Sequence, residues 1–224
     1  MARVWSIVVA GGSGRRFGRP KQYAELGGRP VLAWAIEACR PSSSGVVLVV
    51  PADGDQRDAY GADAVVLGGP TRADSVRRGL AAVPPDAEVI VVHDAARPLA
   101  SAALFQAVVD AVGEEGGADG AVPGLPVGDT IKMVDEARTV TRTLERASLV
   151  AVQTPQAFRA EILRRAHQAA TGAESPSDAP TDDAMMVEAL GGTVRVVEGE
   201  PGNLKITTPG DLETAAGLVA ARGA

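Results

Sequence analysis

The sequence predicts an α/β protein with a mostly parallel central sheet covered by helices on both faces. Short apolar runs recur along the chain, segments of helical period separate them, and 26 glycines and 15 prolines supply many tight connections. Apolar runs of this kind are typical of parallel strands that are buried on both sides. At 224 residues, the chain is expected to form one domain spanning 1–224.

Each predicted strand is a short, nearly continuous apolar run, which is the pattern of a strand inside a sheet. The first run ends directly in glycines, and the second ends at a proline. Helical segments lie between most of the runs, so most strands are expected to be parallel. The predicted strands lie at residues 4–9, 45–50, 64–67, 89–92, 120–122 and 193–197.

Two of the predicted helices have clear start signals. Thr71 and Asp74, three residues apart, form a capping-box-like pair. The last helix has Thr208 as its expected N-cap, followed by Pro209 at the first helical position and Asp211 in the first turn. The other predicted helices lie at about residues 30–39, 101–112, 158–169 and 181–190.

Residues 127–150 interrupt the alternation of strands and helices. Two β-prone stretches, 130–134 and 140–143, flank the polar residues 135–138, which is the pattern of a β-hairpin. An isolated two-stranded ribbon is only marginally stable in water. We therefore expect this hairpin to be an arm that packs against a second subunit.

Charge and cysteine content exclude several functions. A net charge of -6 argues against a general binder of nucleic acid or anionic membranes, which attract excess positive charge. The N-terminal segment shows neither a cleavage site nor a membrane span, so a cytoplasmic location is expected. The single cysteine, Cys39, cannot form an internal disulfide or a cysteine zinc site, and its apolar helical pattern predicts a core position.

A glycine-rich loop with basic residues follows the first strand. Residues 10–22 read AGGSGRRFGRPKQ, in which glycines let the backbone approach a phosphate while arginine and lysine supply positive charge. Phe17 stands where a dinucleotide-binding loop needs glycine or alanine, and the Gly-Lys-Ser/Thr of nucleoside triphosphatases is absent. A tight strand-to-helix turn would use similar residues, so the loop alone indicates anion binding without establishing it.

A second polar segment, VHDAARP at residues 92–98, follows an apolar strand. Ligands of open α/β sheets gather at the carboxyl ends of the strands, where Asp94 and Arg97 are expected to project. Asp94 suits Mg²⁺ or a ribose hydroxyl, and Arg97 suits a phosphate. The alternative is that Asp94 caps a turn and pairs with Arg97. His93, beside a buried strand, is favoured as a hydrogen-bonded structural residue over a general base.

Further motifs follow in a defined order. The segments GGPTRADSV, QTPQ, TDD and NLKIT join AGGSGRRF, PKQY and VHDAARP between residues 10 and 211. Together these seven motifs resemble those of the 2-C-methyl-D-erythritol 4-phosphate cytidylyltransferase family. The resemblance implies a Rossmann-like nucleotidyltransferase fold, a Mg²⁺-dependent reaction and a homodimer formed by exchange of β-arms.

The resemblance also implies roles for residues around CTP. It places Arg16 and Lys21 on the triphosphate, where they stabilise the transition state, and Lys205 opposite them as a third catalytic cation. Asp94 is implied to lie near both CTP and the metal ion. The remaining residues implied to bind CTP are Ala10, Gly11, Gly12, Gly14, Gly68, Gly69 and Ser75, with the last three at the cytosine.

Four further residues are implied on the phosphate of the acceptor, methylerythritol phosphate. Arg97 and Thr181 come from the same chain, and Thr130 and Arg146 come from the arm of the partner subunit. The chemistry fits this residue content, because a phosphate monoester that attacks the α-phosphate of CTP is already an anion. Fixed cations and a metal ion are then the main catalytic requirement.

Other functions fit the sequence less well. A ribitol-phosphate cytidylyltransferase would share the fold and chemistry, but the two alanines after Asp94 favour the methylerythritol family. A non-catalytic nucleotide sensor of the same fold is disfavoured because the charged residues implied in catalysis are all present. A dinucleotide-dependent dehydrogenase is disfavoured by Phe17.

Overall fold

The computed structural model describes residues 2–12, 16–52, 59–113, 116–170 and 180–222. Its strands and helices, in chain order, are β1 (Val4–Val9), β2 (Glu25–Leu26), β3 (Arg29–Pro30), α1 (Val31–Cys39), β4 (Gly45–Val50), β5 (Ala64–Leu67), α2 (Arg72–Ala82), β6 (Val89–Asp94), α3 (Ala102–Gly113), β7 (Gly120–Pro126), β8 (Lys132–Val134), β9 (Val140–Thr143), β10 (Val150–Val152), β11 (Gln156–Arg159), α4 (Ala160–Ala169), α5 (Asp183–Ala189), β12 (Val194–Glu198) and α6 (Pro209–Arg222).

The central sheet has eight strands in the order β10-β7-β11-β6-β1-β4-β5, with β12 paired to β7. Strands β6, β1, β4 and β5 are parallel, and β12 is parallel to β7. Strand β11 runs antiparallel between β6 and β7, and β10 runs antiparallel to β7. The predicted α/β class with a mostly parallel sheet is therefore confirmed.

Alternate residues of the central strands face opposite helical layers. All six residues of β4 are buried. Val46, Leu48 and Val50 pack on the side of α1 and α3, whereas Val47 and Val49 pack on the side of α2, α4 and α5. Burial on both faces explains why this strand is apolar at every position after its first glycine.

A smaller apolar cluster ties the glycine-rich loop to the C-terminal part of the chain. Phe17, Leu26 and Val31 pack with Ile206 and Ala215, all of them buried. Phe17 is thus a core residue of this cluster. The cluster brings the segment after the loop close to the segment before α6.

Two elements differ from the prediction. Strand β11 occupies the start of the helix predicted at 158–169, because Phe158 pairs opposite Ile90 in the sheet and is fully buried. Helix α4 therefore begins at Ala160. The sequence pattern does not predict the small hairpin of β2 and β3, whose turn is formed by Gly27 and Gly28 at φ of +58° and +78°.

The last two helices begin with side-chain caps. At α6, the Thr208 amide donates to the Asp211 carboxylate at 2.7 Å, as expected from the start signal in the sequence. At α5, the Met185 amide donates to Asp182 at 3.0 Å, so this helix starts later than the predicted residue 181. Across the described ranges, every helix is too short or too polar to span a membrane.

The predicted hairpin at 127–150 is present as the two-stranded sheet of β8 and β9. The strands pair antiparallel, with Val134 opposite Val140. Met133, Val134 and Val140 expose 48%, 46% and 54% of their surface. We call residues 127–150 the arm; most of its apolar side chains are exposed.

Candidate active site

A cavity of about 340 Å³ opens at the carboxyl ends of β1 and β6, between the glycine-rich loop, the start of α2 and the segment before α6. Ligands of open α/β sheets bind at this edge. We call it the first cavity. Its lining includes many of the residues predicted to bind CTP or to act on it: Ala10, Gly11, Gly12, Lys21, Gly69, Ser75, Asp94 and Lys205.

The glycine-rich loop forms one side of the first cavity. The Ala10 amide donates to the Val49 carbonyl at 2.8 Å, which continues the strand pairing up to the start of the loop. Gly11 and Gly12 follow in the cavity lining. The predicted contact of Gly14 lies outside the described residues.

Lys21 lies in a short 3₁₀ turn after the loop, and its Nζ donates to the Ile206 carbonyl at 2.6 Å. Burial lowers the Lys21 pKa, and the positive charges of Lys205 and Arg16 lower it further. Arg16 itself is exposed and lies outside the cavity lining. The repulsion among these cations would be relieved by a bound anion, so this side of the cavity suits negative charge.

The Asp94 carboxylate lies at the end of β6 between two cations. Lys205 Nζ donates to its Oδ2 at 2.6 Å, and Arg72 Nε donates to its Oδ1 at 3.4 Å. Burial raises the Asp94 pKa, but Arg72 and Lys205 outweigh burial and hold it well below its usual range. Within the described chain, Asp94 forms ion pairs with Arg72 and Lys205, and not with Arg97 as the alternative interpretation supposes.

Arg72, the first residue of α2, is a functional candidate that the sequence argument missed. Its Nη1 donates to the Asp183 carboxylate at 2.7 Å, while Nε faces Asp94. Burial lowers the Arg72 pKa, but the attraction of Asp183 and Asp94 outweighs burial and raises it. A helix dipole disfavours a cation at the helix N-terminus. An arginine at the start of a helix therefore indicates that its side chain pairs with an acidic group elsewhere in the fold.

The turn before α2 is packed around Ser75. The Gly69 amide donates to Ser75 Oγ at 3.1 Å, and this hydroxyl donates to the Thr71 carbonyl at 3.0 Å. A Cβ atom at Gly68 would lie 2.9 Å from both Ser75 Oγ and a backbone carbonyl, so only glycine fits. Gly68 thus shapes the turn without lining the cavity. Thr71 and Asp74 form the predicted capping box.

A second cavity of about 260 Å³ adjoins the first. Arg97 and Thr181, both predicted on the acceptor phosphate, line it. Arg72, Asp94 and Lys205 line both cavities, and we call these three residues the shared wall. Two ligands in the two cavities would therefore meet at one carboxylate and two cations.

His93 has the structural role that the sequence favours. Its Nδ1 lies 3.1 Å from Thr154 Oγ1, and its Nε2 lies 3.1 Å from the Arg97 carbonyl. The Arg97 carbonyl can only accept, so Nε2 carries the imidazole proton. Nδ1 of the neutral ring then accepts from the Thr154 hydroxyl, which itself accepts from the Asp94 amide at 3.0 Å. Burial lowers the His93 pKa to about 4, so the ring is neutral.

Asn203 anchors the segment that carries Lys205, a role that the sequence argument did not assign. Its side-chain amide donates to the Thr154 carbonyl at 2.9 Å and to Gln153 Oε1 at 3.3 Å. The backbone carbonyl of Asn203 accepts from Arg97 Nη1 at 2.7 Å. The QTPQ and NLKIT motifs therefore hold each other in place beside the second cavity.

The two arm residues predicted on the acceptor phosphate lie elsewhere in this chain. Thr130 and Arg146 are exposed, and neither lines the first or the second cavity. Arg146 Nη1 donates to the Gly128 carbonyl at 2.7 Å within the arm. A single chain thus brings together most of the residues predicted to contact CTP and only part of the acceptor side.

Asp94 is the one residue predicted to bind a metal ion. Among the described residues, no three histidine, cysteine, aspartate or glutamate side chains cluster as a metal site. Mg²⁺ in nucleotide sites is usually held by one or two carboxylates together with substrate phosphates and water. The single carboxylate of Asp94, in the lining of the first cavity, fits that pattern. The residues present therefore suit a divalent ion that binds together with a triphosphate.

Two cavities with cationic linings meet at the shared wall, on the carboxyl edge of a mostly parallel sheet. This arrangement suits the joining of two phosphorylated substrates, which is the chemistry of a nucleotidyltransferase. Such enzymes generally use a divalent metal ion. The sequence profile of the 2-C-methyl-D-erythritol 4-phosphate cytidylyltransferase family (IspD) matches residues 4–221, and the chain belongs to this family.

Individual relatives agree with the family match. The 2-C-methyl-D-erythritol 4-phosphate cytidylyltransferase of Rhodococcus jostii is 46% identical over 223 residues, which cover 96% of this chain and 95% of that protein. The bifunctional enzyme IspD/IspF of Anaeromyxobacter dehalogenans is 45% identical over 230 residues, which cover 98% of this chain but 58% of that longer protein.

Solved structures show the same fold. The 2-C-methyl-D-erythritol 4-phosphate cytidylyltransferase of Thermus thermophilus superposes with a TM-score of 0.77 at 34% identity, over 96% of this chain and 98% of that one. The 4-diphosphocytidyl-2C-methyl-D-erythritol synthase of Anaerococcus prevotii gives a TM-score of 0.81 at 28% identity, over 98% and 99% of the two chains.

Proposed function

We propose that this chain transfers CMP from CTP to 2-C-methyl-D-erythritol 4-phosphate, giving 4-diphosphocytidyl-2-C-methyl-D-erythritol and pyrophosphate, a step of isoprenoid precursor biosynthesis. The observation that carries the proposal is the shared wall of Arg72, Asp94 and Lys205, which faces both cavities. The family match supports the choice of substrates. A cytoplasmic location is part of the same proposal, which cell fractionation and immunoblotting would test.

The reaction needs no side-chain nucleophile. An oxygen of the acceptor phosphate forms a bond to the α-phosphorus of CTP, the bond from that phosphorus to the bridging oxygen breaks, and its electron pair leaves with pyrophosphate. Two anions must approach each other, and charge shifts onto the leaving group. Cations held in place before the substrates arrive are therefore the main contribution of the protein.

The residue roles follow from the position of each charge. Lys21 and Arg16 act on the triphosphate from the side of the glycine-rich loop. Lys205 lies between the two cavities and can contact phosphates in both. In the second cavity, Arg97 and Thr181 bind the acceptor phosphate. The backbone of the glycine-rich loop, with Ala10, Gly11, Gly12 and Gly14, holds the CTP phosphates, and the turn of Gly68, Gly69 and Ser75 holds the cytosine.

We propose Mg²⁺ as the metal ion and Asp94 as its protein ligand. When bound, the ion would neutralise charge on the triphosphate and polarise the α-phosphate. Lys205 and Arg72 keep Asp94 ionised before the ion arrives. EDTA should abolish turnover, and added Mg²⁺ should restore it. Full activity after exhaustive chelation would remove Asp94 from this role.

A homodimer completes the acceptor side in this proposal. The arms of two chains exchange, so that Thr130 and Arg146 of one subunit reach the acceptor phosphate of the other. Two features support it: the arm exposes apolar surface, and Thr130 and Arg146 lie outside both cavities of their own chain.

The decisive experiment offers the purified chain CTP with Mg²⁺ and either methylerythritol phosphate or ribitol 5-phosphate, and measures pyrophosphate. We expect release only with the methylerythritol compound. Release with ribitol 5-phosphate alone would transfer the assignment to the ribitol enzymes. CTP binding without pyrophosphate from either acceptor would instead identify a nucleotide sensor of the same fold.

A further inference from the structure

A buried carboxylate lies directly behind the shared wall. Asp183, the first residue of α5, has no exposed side-chain surface. Its Oδ2 accepts from Arg72 Nη1 at 2.7 Å, and its Oδ1 accepts from His167 Nε2 at 2.9 Å. Each oxygen thus has its own donor. An isolated buried charge is strongly unfavourable, so Asp183 depends on both donors to remain in the interior.

The two cations on Asp94 are held very differently. Arg72 is anchored at its far end by buried Asp183, and only 28% of its side chain is exposed. Lys205 reaches Asp94 through a single ammonium group, and 44% of its side chain is exposed. One oxygen of Asp94 therefore faces a fixed partner, and the other faces a partner that can leave.

We infer that Asp183 and His167 are positioning residues, which hold the Arg72 guanidinium at the shared wall so that Asp94 stays oriented when Lys205 moves onto a substrate phosphate. The inference rests on the proposed function and extends it to residues outside both cavities. Arginine suits this position because its planar fork bonds two carboxylates at once, which a lysine ammonium cannot do in the same geometry.

The first test compares turnover in three variants and one control. Asp183→Asn keeps the shape of the side chain and removes its charge, and we expect kcat to fall about tenfold with both KM values within about threefold of wild type. His167→Gln keeps an N–H donor for Asp183, whereas His167→Leu removes it. We expect His167→Gln to match wild type and His167→Leu to lose about fivefold in kcat.

Arg164→Lys is the matched control. Arg164 is also partly buried on the same face of the sheet, but it donates to the Leu80, Val83 and Pro84 carbonyls, away from the cavities. This variant should lower the melting temperature and leave kcat unchanged. Equal kcat for His167→Gln and His167→Leu, or wild-type kcat for a folded Asp183→Asn protein, would overturn the inference.

A double-mutant cycle separates positioning from packing. If Asp183 acts through Arg72, Asp183→Asn should cause no further loss of kcat in an Arg72→Lys background. Losses that multiply would show that Asp183 acts independently of Arg72, against the inference.

The last measurement uses the protein without substrates. In ¹⁵N-labelled protein, the Nε–H resonance of Arg72, identified by its absence in Arg72→Lys, should exchange with water at least about tenfold faster in Asp183→Asn than in wild type. Equal exchange rates would overturn the inference. If wild type releases no pyrophosphate with any acceptor but this exchange result holds, the proposed function fails while the anchoring of Arg72 stands.

Discussion

At the scale of single residues, the site consists of cations collected from distant parts of the chain around one carboxylate. Lys21 comes from the segment after the glycine-rich loop, Arg72 from the start of α2 and Lys205 from the segment before α6. Lys205 and Lys21 repel each other, which contributes to the lowered pKa of Lys21. Substrate phosphates would relieve that repulsion, and most strongly where charge accumulates in the transition state.

Lys21→Ala and Arg16→Ala should each lower kcat by about 10² or more without unfolding the protein, because each removes charge that counts most in the transition state. Arg40→Ala is the control, since Arg40 pairs with Asp63 at the surface, outside both cavities. Pyrophosphate release and circular dichroism measure the two effects. Turnover of either site variant within about threefold of the control would contradict the assignment.

His93 should make the protein less stable in acid. Its pKa is 6.5 in the unfolded chain and about 4 when buried, so the folded state favours the neutral ring. The stability that this provides is fully present above pH 6.5 and is lost as the pH falls towards 4. The loss should be on the order of 3 kcal/mol in the free energy of unfolding.

Urea unfolding between pH 4 and 7 measures this effect in wild type and in His93→Gln. The variant should be less stable at pH 7 because the hydrogen bonds to Thr154 and the Arg97 carbonyl change. Its stability should also depend less on pH. The second histidine, His167, is present in both proteins, so its contribution cancels. Parallel pH profiles would contradict a neutral buried His93.

At the scale of elements, α2 must lie close to the sheet because it presents Arg72 and Ser75 to the first cavity. Gly79 makes this approach possible. A Cβ atom at Gly79 would lie 2.6 Å from Ile7 Cγ2 and 3.1 Å from Val49 Cγ2. Contacts this short require the helix or the strands to move.

Gly79→Ala should therefore lower the free energy of unfolding by about 1 to 3 kcal/mol through overpacking, although alanine favours a helix. Gly217→Ala in α6 is the matched control, because nothing lies within 4 Å of the added atom. That control should stabilise the protein by up to about 1 kcal/mol. Thermal unfolding followed by circular dichroism would show the opposite signs, and stabilisation by Gly79→Ala would contradict the packing argument.

At the scale of the whole molecule, the described chain forms one central sheet with a separate two-stranded arm. The single domain at 1–224 and the arm-exchanged homodimer stay predictions. The exposed apolar residues Met133, Val134 and Val140 favour the dimer, because apolar surface on a ribbon is stabilised when a second chain covers it.

Arg146→Ala should raise the KM for the acceptor about ten- to a hundredfold and change the KM for CTP little, because it removes a charge-assisted phosphate contact. Arg142→Ala is the control, since Arg142 lies on β9 of the same arm and has no proposed contact with the acceptor. Steady-state kinetics with each substrate varied in turn distinguish the two KM values.

Mixing Arg146→Ala with Lys21→Ala chains tests whether sites are shared. If the arm serves the partner, a mixed dimer places both lesions in one site and leaves the other wild type, so activity should partly return. Exchange of differently labelled chains must be shown first. Absence of recovery after proven exchange would assign Arg146 to its own chain or to no site.

Features that depend only on neighbouring residues can be predicted directly from the sequence. The strand at 45–50 is apolar along its length because both faces are buried, and the Thr71 capping box forms within four residues. The glycine-rich loop lies on the first cavity because it follows a parallel strand directly. Periodicity, caps and loops after strands are local, so they can be predicted without knowing which segments meet.

Which distant side chains meet depends on how the whole chain packs. Arg72 pairs with Asp183, and Lys205 with Asp94, each across 111 positions of sequence. Phe158 lies in strand β11 and not at the start of the predicted helix, because it pairs with Ile90 of the neighbouring strand β6. These pairings depend on strand order and on the desolvation of charges that share one small volume. Strand order and desolvation are set when the whole chain packs. No local sequence pattern therefore predicts the pairings.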